Sequence, residues 1–368
     1  MLSLSVSIGE AVDTLTLLDI KCFKLKDAAQ KAENQEKYNV LHTSLKESLT
    51  KCAWHYKILR EINLRIWDLS PPTSETDPMC YEILKEQDRR TRVINKINYF
   101  MKSDIAVEKK IYLKKRRAFF YGHLGLGDMF WLNGAVRYLA TEYDEILVVC
   151  KKKYEATVVG MYADDSSIKL YLVEDDIDIQ PFYQYHRSLW ASKGYTVYAC
   201  GNHLINPADI PKKPWIYEFP FCFYDDLKIP RSVRTEYFFI HTYPEALAMV
   251  QVVKHFAPKY AILHQQASTK RMNIWDTVVK QTTYPILDLN ENHYPVGHPF
   301  HIIAELVVNK PLYWHKCLIE EATEIHLLES SVYCLASQLD LSRVAVKKCY
   351  DAFDNSDKRL GIFETATL

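Results

Sequence analysis

Charge imbalance, long apolar runs, paired cysteine motifs and abundant glycine are all missing from this 368-residue chain, and each absence excludes something. Forty-six Lys and Arg balance 46 Asp and Glu, so no global basic field points to nucleic acid or an anionic membrane. No run of 18 uninterrupted apolar residues occurs, which argues against a membrane-spanning helix. The opening MLSLSVSIGEAVDTL has no basic leader segment and carries Glu10 and Asp13, so it does not read as a secretory signal. Nine scattered cysteines without a C-x-x-C are expected as free thiols in a reducing, cytoplasmic setting. What is plentiful is aromatic: 25 Tyr, 15 Phe and 7 Trp against 10 Gly. Such rings fill cores, and their faces also pack on pyranoses.

Because glycine is scarce, the crowding of Gly122, Gly125 and Gly127 marks a special place. They follow the apolar run Ala118 to Tyr121 and precede an amphipathic segment, so the pattern is strand, tight loop, helix. Without a Cβ, the loop backbone at Gly125 and Gly127 can approach a ligand closely, and the following helix start offers unpaired N–H groups. Asp128 is the acid at its mouth.

Residues 1–115 read as a separate helical module. After a short β-like start (Leu2 to Ile8), one helix carries Val12, Leu15, Leu18 and Ile20. A second runs from about Asn34 to Leu69 on a single apolar stripe, and a third from about Met79 to Asp104. The basic residues Lys109 to Arg117 read as a solvated face. From Arg116 onward strands and helices alternate, which implies parallel sheets covered on both faces. One set spans 116–240, with strands at Glu145 to Cys150, Lys169 to Glu174 and Thr196 to Gly201. A second spans 241–368, with strands at Tyr260 to Ser268, Pro285 to Leu289 and Glu324 to Ser331. The expected fold is therefore α/β, with two Rossmann-like domains facing a cleft behind an α-helical N-terminal module. The doublets Asp164-Asp165 and Asp175-Asp176 read as solvated loop residues rather than a metal site.

The pairing of Gly125-Leu126-Gly127-Asp128 with the late Ile325-His326-Leu327-Leu328-Glu329-Ser330-Ser331 resembles GT-B-fold glycosyltransferases, in particular the ADP-heptose:lipopolysaccharide heptosyltransferase type. The resemblance covers roughly 118–350. It implies transfer of a sugar from a nucleotide-diphosphate sugar to a glycan or other hydroxyl acceptor, with inversion and without a bound metal ion or other cofactor. It also implies Asp128 as catalytic base and Glu329, Ser330 and Ser331 as holders of donor sugar and pyrophosphate. Where the family has a Gly-rich pair and a His after the late acid, this chain has Ser330-Ser331 and Cys334. The segment SVSIGEAVDTLTLLDIKCFKL is similar to a small helical family of unknown function that accompanies sugar-transfer proteins; it implies association with glycan synthesis, and its helices offer a homodimer contact.

Sugar transfer needs a base for the acceptor hydroxyl, fixed dipoles or cations for the leaving pyrophosphate, and a pocket. Asp128 suits the first role, with N-capping of a helix Met129 to Leu139 as the alternative. His123 is the second choice as base or acceptor contact. Ser268, Lys270 and Arg271 follow the strand at Tyr260 and would meet phosphate at its C-terminal end. Ser330 and Ser331 open a helix whose amides would complete an anion site, and Glu329 would accept from sugar hydroxyls. His293 and His298, in the polar loop after Leu289, are further donor contacts. Two rival functions stay open: a nucleotide-sugar epimerase of the same fold, and a non-catalytic binding or assembly protein. The glycine spacing does not fit G-x-G-x-x-G, which disfavours a dinucleotide-dependent oxidoreductase.

Overall fold

The computed structural model describes residues 5–69, 78–105, 114–175, 179–201, 220–267, 272–290, 294, 297–308, 310–350 and 362–366. The chain opens with helices α1 (Ile8–Lys24), α2 (Ala28–Lys51), α3 (Ala53–Asp68) and α4 (Pro78–Phe100). Ile8 is already helical, so a strand does not form at residues 5–8. Ser7 accepts from the Glu10 N–H at 3.2 Å while Glu10 takes the Ser7 N–H at 3.4 Å, and this reciprocal cap satisfies two donors that would otherwise be orphaned. The stripe expected as one long helix is broken at Cys52, where ψ turns to 26°. Its first half, α2, carries no fully buried residue, whereas α3 buries Ile58, Leu59 and Ile62.

The first sheet holds β1 (Arg117–Tyr121), β2 (Glu145–Lys151), β3 (Ile168–Val173) and β4 (Tyr195–Ala199), all parallel, in the order β3-β2-β1-β4. Between them run α5 (Leu126–Trp131), α6 (Asn133–Glu142), α7 (Glu155–Tyr162) and α8 (Ile179–Ser192). The single helix expected over Met129 to Leu139 is instead two, hinged at Leu132. After β4 come α9 (Phe221–Leu227), α10 (Val233–Glu236) and α11 (Pro244–Phe256).

The second sheet is also parallel: β5 (Ala261–His264), β6 (Ile286–Asp288), β7 (Glu324–Leu328), β8 (Val346–Tyr350) and β9 (Glu364–Ala366), in the order β6-β5-β7-β8-β9. Its helices are α12 (Trp275–Gln281), α13 (Ala304–Val307), α14 (His315–Glu320) and α15 (Ser331–Ala336). The helix expected over 299–309 shrinks to α13, because turns occupy 299–303. The expected architecture of helices followed by two parallel α/β sheets is present.

Charge, rather than apolar contact alone, joins the helices to the first sheet. Arg92 of α4 pairs with Asp144 at 3.0 Å, and Lys96 with Asp165. Arg137 on α6 grips Asp164 with two bonds of 2.8 Å and donates to the carbonyls of Met161 and Phe239. Both Asp164 and Asp165 are buried, which corrects their reading as solvated loop residues. A buried carboxylate persists only where bidentate pairing and extra donors replace its hydration. Residues of α3, α4, both sheets and α15 share one continuous apolar core.

Both sheets have a switch point, where successive strands depart in opposite directions. In the first it lies between β1 and β4, in the second between β5 and β7. Ligands of open parallel sheets bind at the carboxyl ends of such strands, because the flanking loops splay apart there.

Candidate functional site

The two switch points face each other through α5 and α15, which follow β1 and β7, a switch-point strand of each sheet. A Cβ on Gly127 would stand 2.8 Å from Cys334 Sγ and 3.5 Å from Ser331 Cα, so the helices touch at a spot only glycine fits. Gln338 crosses the same seam, donating to the Phe130 carbonyl at 2.6 Å. The glycine turn and the Glu329-Ser330-Ser331 segment, far apart in sequence, are thereby neighbours.

Beside this seam lies a cavity of about 510 Å³. Leu126 and Thr157 line it from the first sheet's side. His264, Gln266 and Asn290 line it from the ends of β5 and β6, with Ser331 and Val332 from the start of α15. Lys310, Leu312 and His315 close the far wall. Its size and its mix of apolar wall with a few polar groups suit a small-molecule ligand.

The polar groups are held in place before any ligand arrives. Asn290 Oδ1 accepts the N–H groups of Gln265 (2.7 Å) and Gln266 (3.0 Å), and its amide nitrogen faces His264 Nε2 at 3.0 Å. His264 Nδ1 lies 3.1 Å from Ser330 Oγ, which N-caps α15 by accepting from the Tyr333 N–H at 3.4 Å. Burial, reinforced by nearby His315, pushes the His264 pKa down to about 3, so the ring is neutral. Burial likewise lowers that of His315, whose Nε2 bonds the Val307 carbonyl at 2.8 Å while Nδ1 has no partner among the described residues. Lys310 forms no ion pair among the described residues, which makes it a half-buried cation open to a ligand.

Asp128 stands on the other side of α5, toward the switch point of the first sheet. Gly125 is the N-cap of α5 and Asp128 its third residue, so Asp128 does not N-cap. Its carboxyl folds back instead, accepting the Gly125 N–H. The space this needs is where a Cβ on Gly125 would be, 2.7 Å from Asp128 Oδ2. Burial raises the Asp128 pKa to about 7, and the Gly125 N–H offsets only part of the rise. His123 Nδ1 lies 3.7 Å from that carboxylate, and burial pulls the His123 pKa down to about 4. Both groups thus resist charge, and at neutral pH they are an uncharged imidazole beside a titrating acid, not an ion pair. The His123 ring rests on Gly201, whose φ of +111° and missing Cβ make the room, and meets Phe223 edge-on at 5.1 Å. Cys334 lies near both Asp128 and Glu329, and burial, with those two charges adding to it, holds its thiol far above its ordinary pKa.

The sequence-derived residues therefore divide. Gly125, Gly127, Asp128, His123, Glu329, Ser330 and Ser331 converge on the seam between the sheets. His298 is engaged elsewhere, accepting the Phe300 N–H at 3.1 Å and stacking on Tyr294 at 4.6 Å. Ser268, Lys270, Arg271 and His293 lie outside the described residues. His264, Gln266, Lys310 and His315 also line the cavity, and none of them stands out in the sequence pattern as Asn290 does in its polar loop after β6. A histidine directly ending the buried run Ala261 to Leu263 was a usable signal; Lys310 and His315 carried none, since only the tertiary path brings them to the cavity.

No protein-family model matches the sequence, and no curated protein matches it either. Among solved structures, the chain is similar to the bacterial iron-containing dodecameric glycosyltransferase TibC from enterotoxigenic E. coli H10407. The identity is 16% over 71% of this chain, at a TM-score of 0.39. The chain spans 65% of the length of that TibC chain. The dodecameric iron-containing heptosyltransferase TibC in complex with ADP-D-beta-D-heptose matches at 15% identity over 72% of this chain and 66% of its own, at a TM-score of 0.39. A glycosyl transferase family 9 structure from Veillonella parvula DSM 2008 matches at 10% identity over 72% of this chain and 88% of its own, at a TM-score of 0.42. Among the described residues of this chain, no group of three or more His, Cys, Asp or Glu is placed to hold a metal ion.

Proposed function

We propose that this chain is a glycosyltransferase that moves a sugar from a nucleoside-diphosphate sugar to a hydroxyl acceptor. Residues 241–368 would take the donor and 116–240 the acceptor. The observation that carries the reading is the pair of facing switch points: a cavity at one with a cation, Lys310, that makes no ion pair among the described residues, and a carboxyl titrating near neutrality, Asp128, at the other.

In this reading the diphosphate lies at the β5/β7 switch. Lys310, the Ser330 hydroxyl and the first N–H groups of α15 take up the charge that grows on the leaving oxygen. Lys270 and Arg271, which follow β5 in the sequence, would be further cations for the diphosphate. Asp128 removes the acceptor hydroxyl proton as that oxygen attacks the anomeric carbon, and the bond from that carbon to the diphosphate breaks in the same step. A single displacement inverts the configuration. A base with its pKa near the working pH has the best balance of ionised fraction and proton affinity. His123 packs against Asp128 on the acceptor side, and Glu329 accepts from sugar hydroxyls. The sugar end of the donor must reach round the Gly125 turn from the cavity to Asp128.

A panel of UDP-, GDP-, ADP- and CMP-sugars screened by thermal shift tests this. A ligand at a hundred times its dissociation constant adds about 2.7 kcal/mol of stability, so one nucleotide class should raise the melting temperature by several degrees. Replacing Thr157 by Trp, which fills the cavity, should abolish the shift. No response to any nucleotide sugar would contradict the reading, and a response that survives Thr157→Trp would move the ligand out of this cavity.

A further inference from the structure

His264 has both ring nitrogens engaged, and the bonds around it decide which one carries the proton. Asn290 Oδ1 is occupied by two backbone N–H donors, from Gln265 and Gln266, so its orientation is fixed: the NH₂ group faces His264 Nε2 at 3.0 Å. An amide nitrogen only donates, so Nε2 must accept. The neutral ring then carries its hydrogen on Nδ1 and donates it to Ser330 Oγ at 3.1 Å. Ser330 Oγ also accepts the Tyr333 N–H. With both lone pairs used, its own hydrogen is left to donate, and no acceptor for it exists among the described residues. Ser330 is half-buried, next to the cavity-lining Ser331.

We propose that His264 is a positioning residue: locked by Asn290 in the Nδ1–H tautomer, it makes the Ser330 hydroxyl a dedicated donor to an anionic oxygen of the donor diphosphate. This rests on the function proposed above. The relay spans the β5/β7 switch point, running from the second residue after β6 through the end of β5 to the second residue after β7. Hydroxyls ordinarily rotate to suit whatever is present; one with both lone pairs filled by fixed donors cannot accept from a ligand hydroxyl and must offer its proton. The relay therefore selects for an acceptor atom, which phosphate oxygens supply and sugar or ribose hydroxyls supply less well. Lys310, on the same cavity, favours the same ligand chemistry.

The Asn290→Asp variant reverses the relay while keeping its shape. One carboxylate oxygen still takes the Gln265 and Gln266 N–H groups; the other now requires a proton on Nε2. In the neutral ring Nδ1 becomes the acceptor, and Ser330 turns its hydrogen inward. Binding is measured by calorimetry at pH 8.5, using pyrophosphate and the nucleoside diphosphate that stabilises the wild-type protein most. The His264 tautomer is read from ¹⁵N chemical shifts of the unliganded protein, a readout that needs no variant to fold and no ligand to bind.

Wild type should show the Nδ1–H tautomer and Asn290→Asp the Nε2–H form. Asn290→Asp and Ser330→Ala should each weaken diphosphate binding about tenfold, and the double variant should be no weaker than Ser330→Ala alone. An Nε2–H tautomer in wild type, undiminished affinity in Asn290→Asp, or a hundredfold loss in the double variant would overturn the proposal. Wild type binding neither probe would overturn the function beneath the proposal and diphosphate as the relay's ligand; an Nε2–H signal in that case would overturn the relay as well, and an intact Nδ1–H signal would trace the failure to the function alone.

Discussion

Replacing Asp128 by Asn should make the protein more stable and much slower, and the stability gain should depend on pH in a defined direction. Burial raises the Asp128 pKa from 3.8 to about 7. Between those values the folded state keeps a proton that the unfolded state releases, so stability falls as pH rises through this window and levels off above about 7. The full rise corresponds to about 4 kcal/mol at about 1.4 kcal/mol per pH unit. Because the side chain is 23% exposed, water relieves part of that, and about 2–4 kcal/mol is the expected range. Asparagine carries no charge to desolvate, and its Oδ1 still accepts the Gly125 N–H. Urea unfolding should therefore find Asp128→Asn the more stable protein at pH 8. Its advantage should shrink by up to about 2 kcal/mol at pH 5.5, because groups common to both proteins cancel in the comparison. Turnover should drop by about 10²–10⁴, and the wild-type rate should climb with pH through about 7 as the base ionises. A variant less stable at pH 8, or an advantage equal at both pH values, would refute the claim that the fold holds this carboxyl against its charge.

Lys310→Ala should weaken nucleoside diphosphate binding about tenfold, with the loss shrinking at high salt as the wild-type attraction is screened; equal affinities at low salt would remove Lys310 from the site. Arg137→Met leaves Asp164 buried without its bidentate partner and should cost about 3–5 kcal/mol in urea unfolding. Most of that should return in the Arg137→Met/Asp164→Leu double variant, and failure to return would mean that the Arg137 bonds to Met161 and Phe239 matter more than the ion pair. Gly127→Ala puts a methyl 2.8 Å from Cys334 Sγ and should destabilise by about 1–3 kcal/mol. Pairing it with Cys334→Ala should recover part of the loss, and no recovery would place the strain elsewhere along α5.

The alternation of strand and helix from Arg116 onward was legible because buried parallel strands are short apolar runs bounded by polar residues. Ala118 to Tyr121, Glu145 to Cys150 and Ile325 to Leu328 all fit that pattern. The glycine turn was legible for a similar reason, as three glycines crowd together in a chain poor in them. What was hidden depends on neighbours that sequence spacing does not encode. Asp164 and Asp165 look like any solvated acidic pair until Arg137 and Lys96 arrive from other elements. The break at Cys52 interrupts a stripe that periodicity alone would continue. Likewise β8 and β9 went unread, because Val346–Tyr350 contains two lysines and is half-buried, without an apolar run. In the site, Asn290 and Ser330 were visible as polar residues after strands, but their meeting through His264 follows only from the strand order β6-β5-β7.

In the proposed site a diphosphate binds at the β5/β7 switch point, with its sugar end directed round the Gly125 turn toward Asp128. A crystal structure of the protein soaked with the nucleotide sugar that gives the largest thermal shift tests this most directly. Phosphate density is expected within hydrogen-bonding distance of Lys310 Nζ and Ser330 Oγ, in the cavity walled by His264 and His315. Phosphate density at the first sheet's switch point beside Asp128, with the cavity left unfilled, would contradict it.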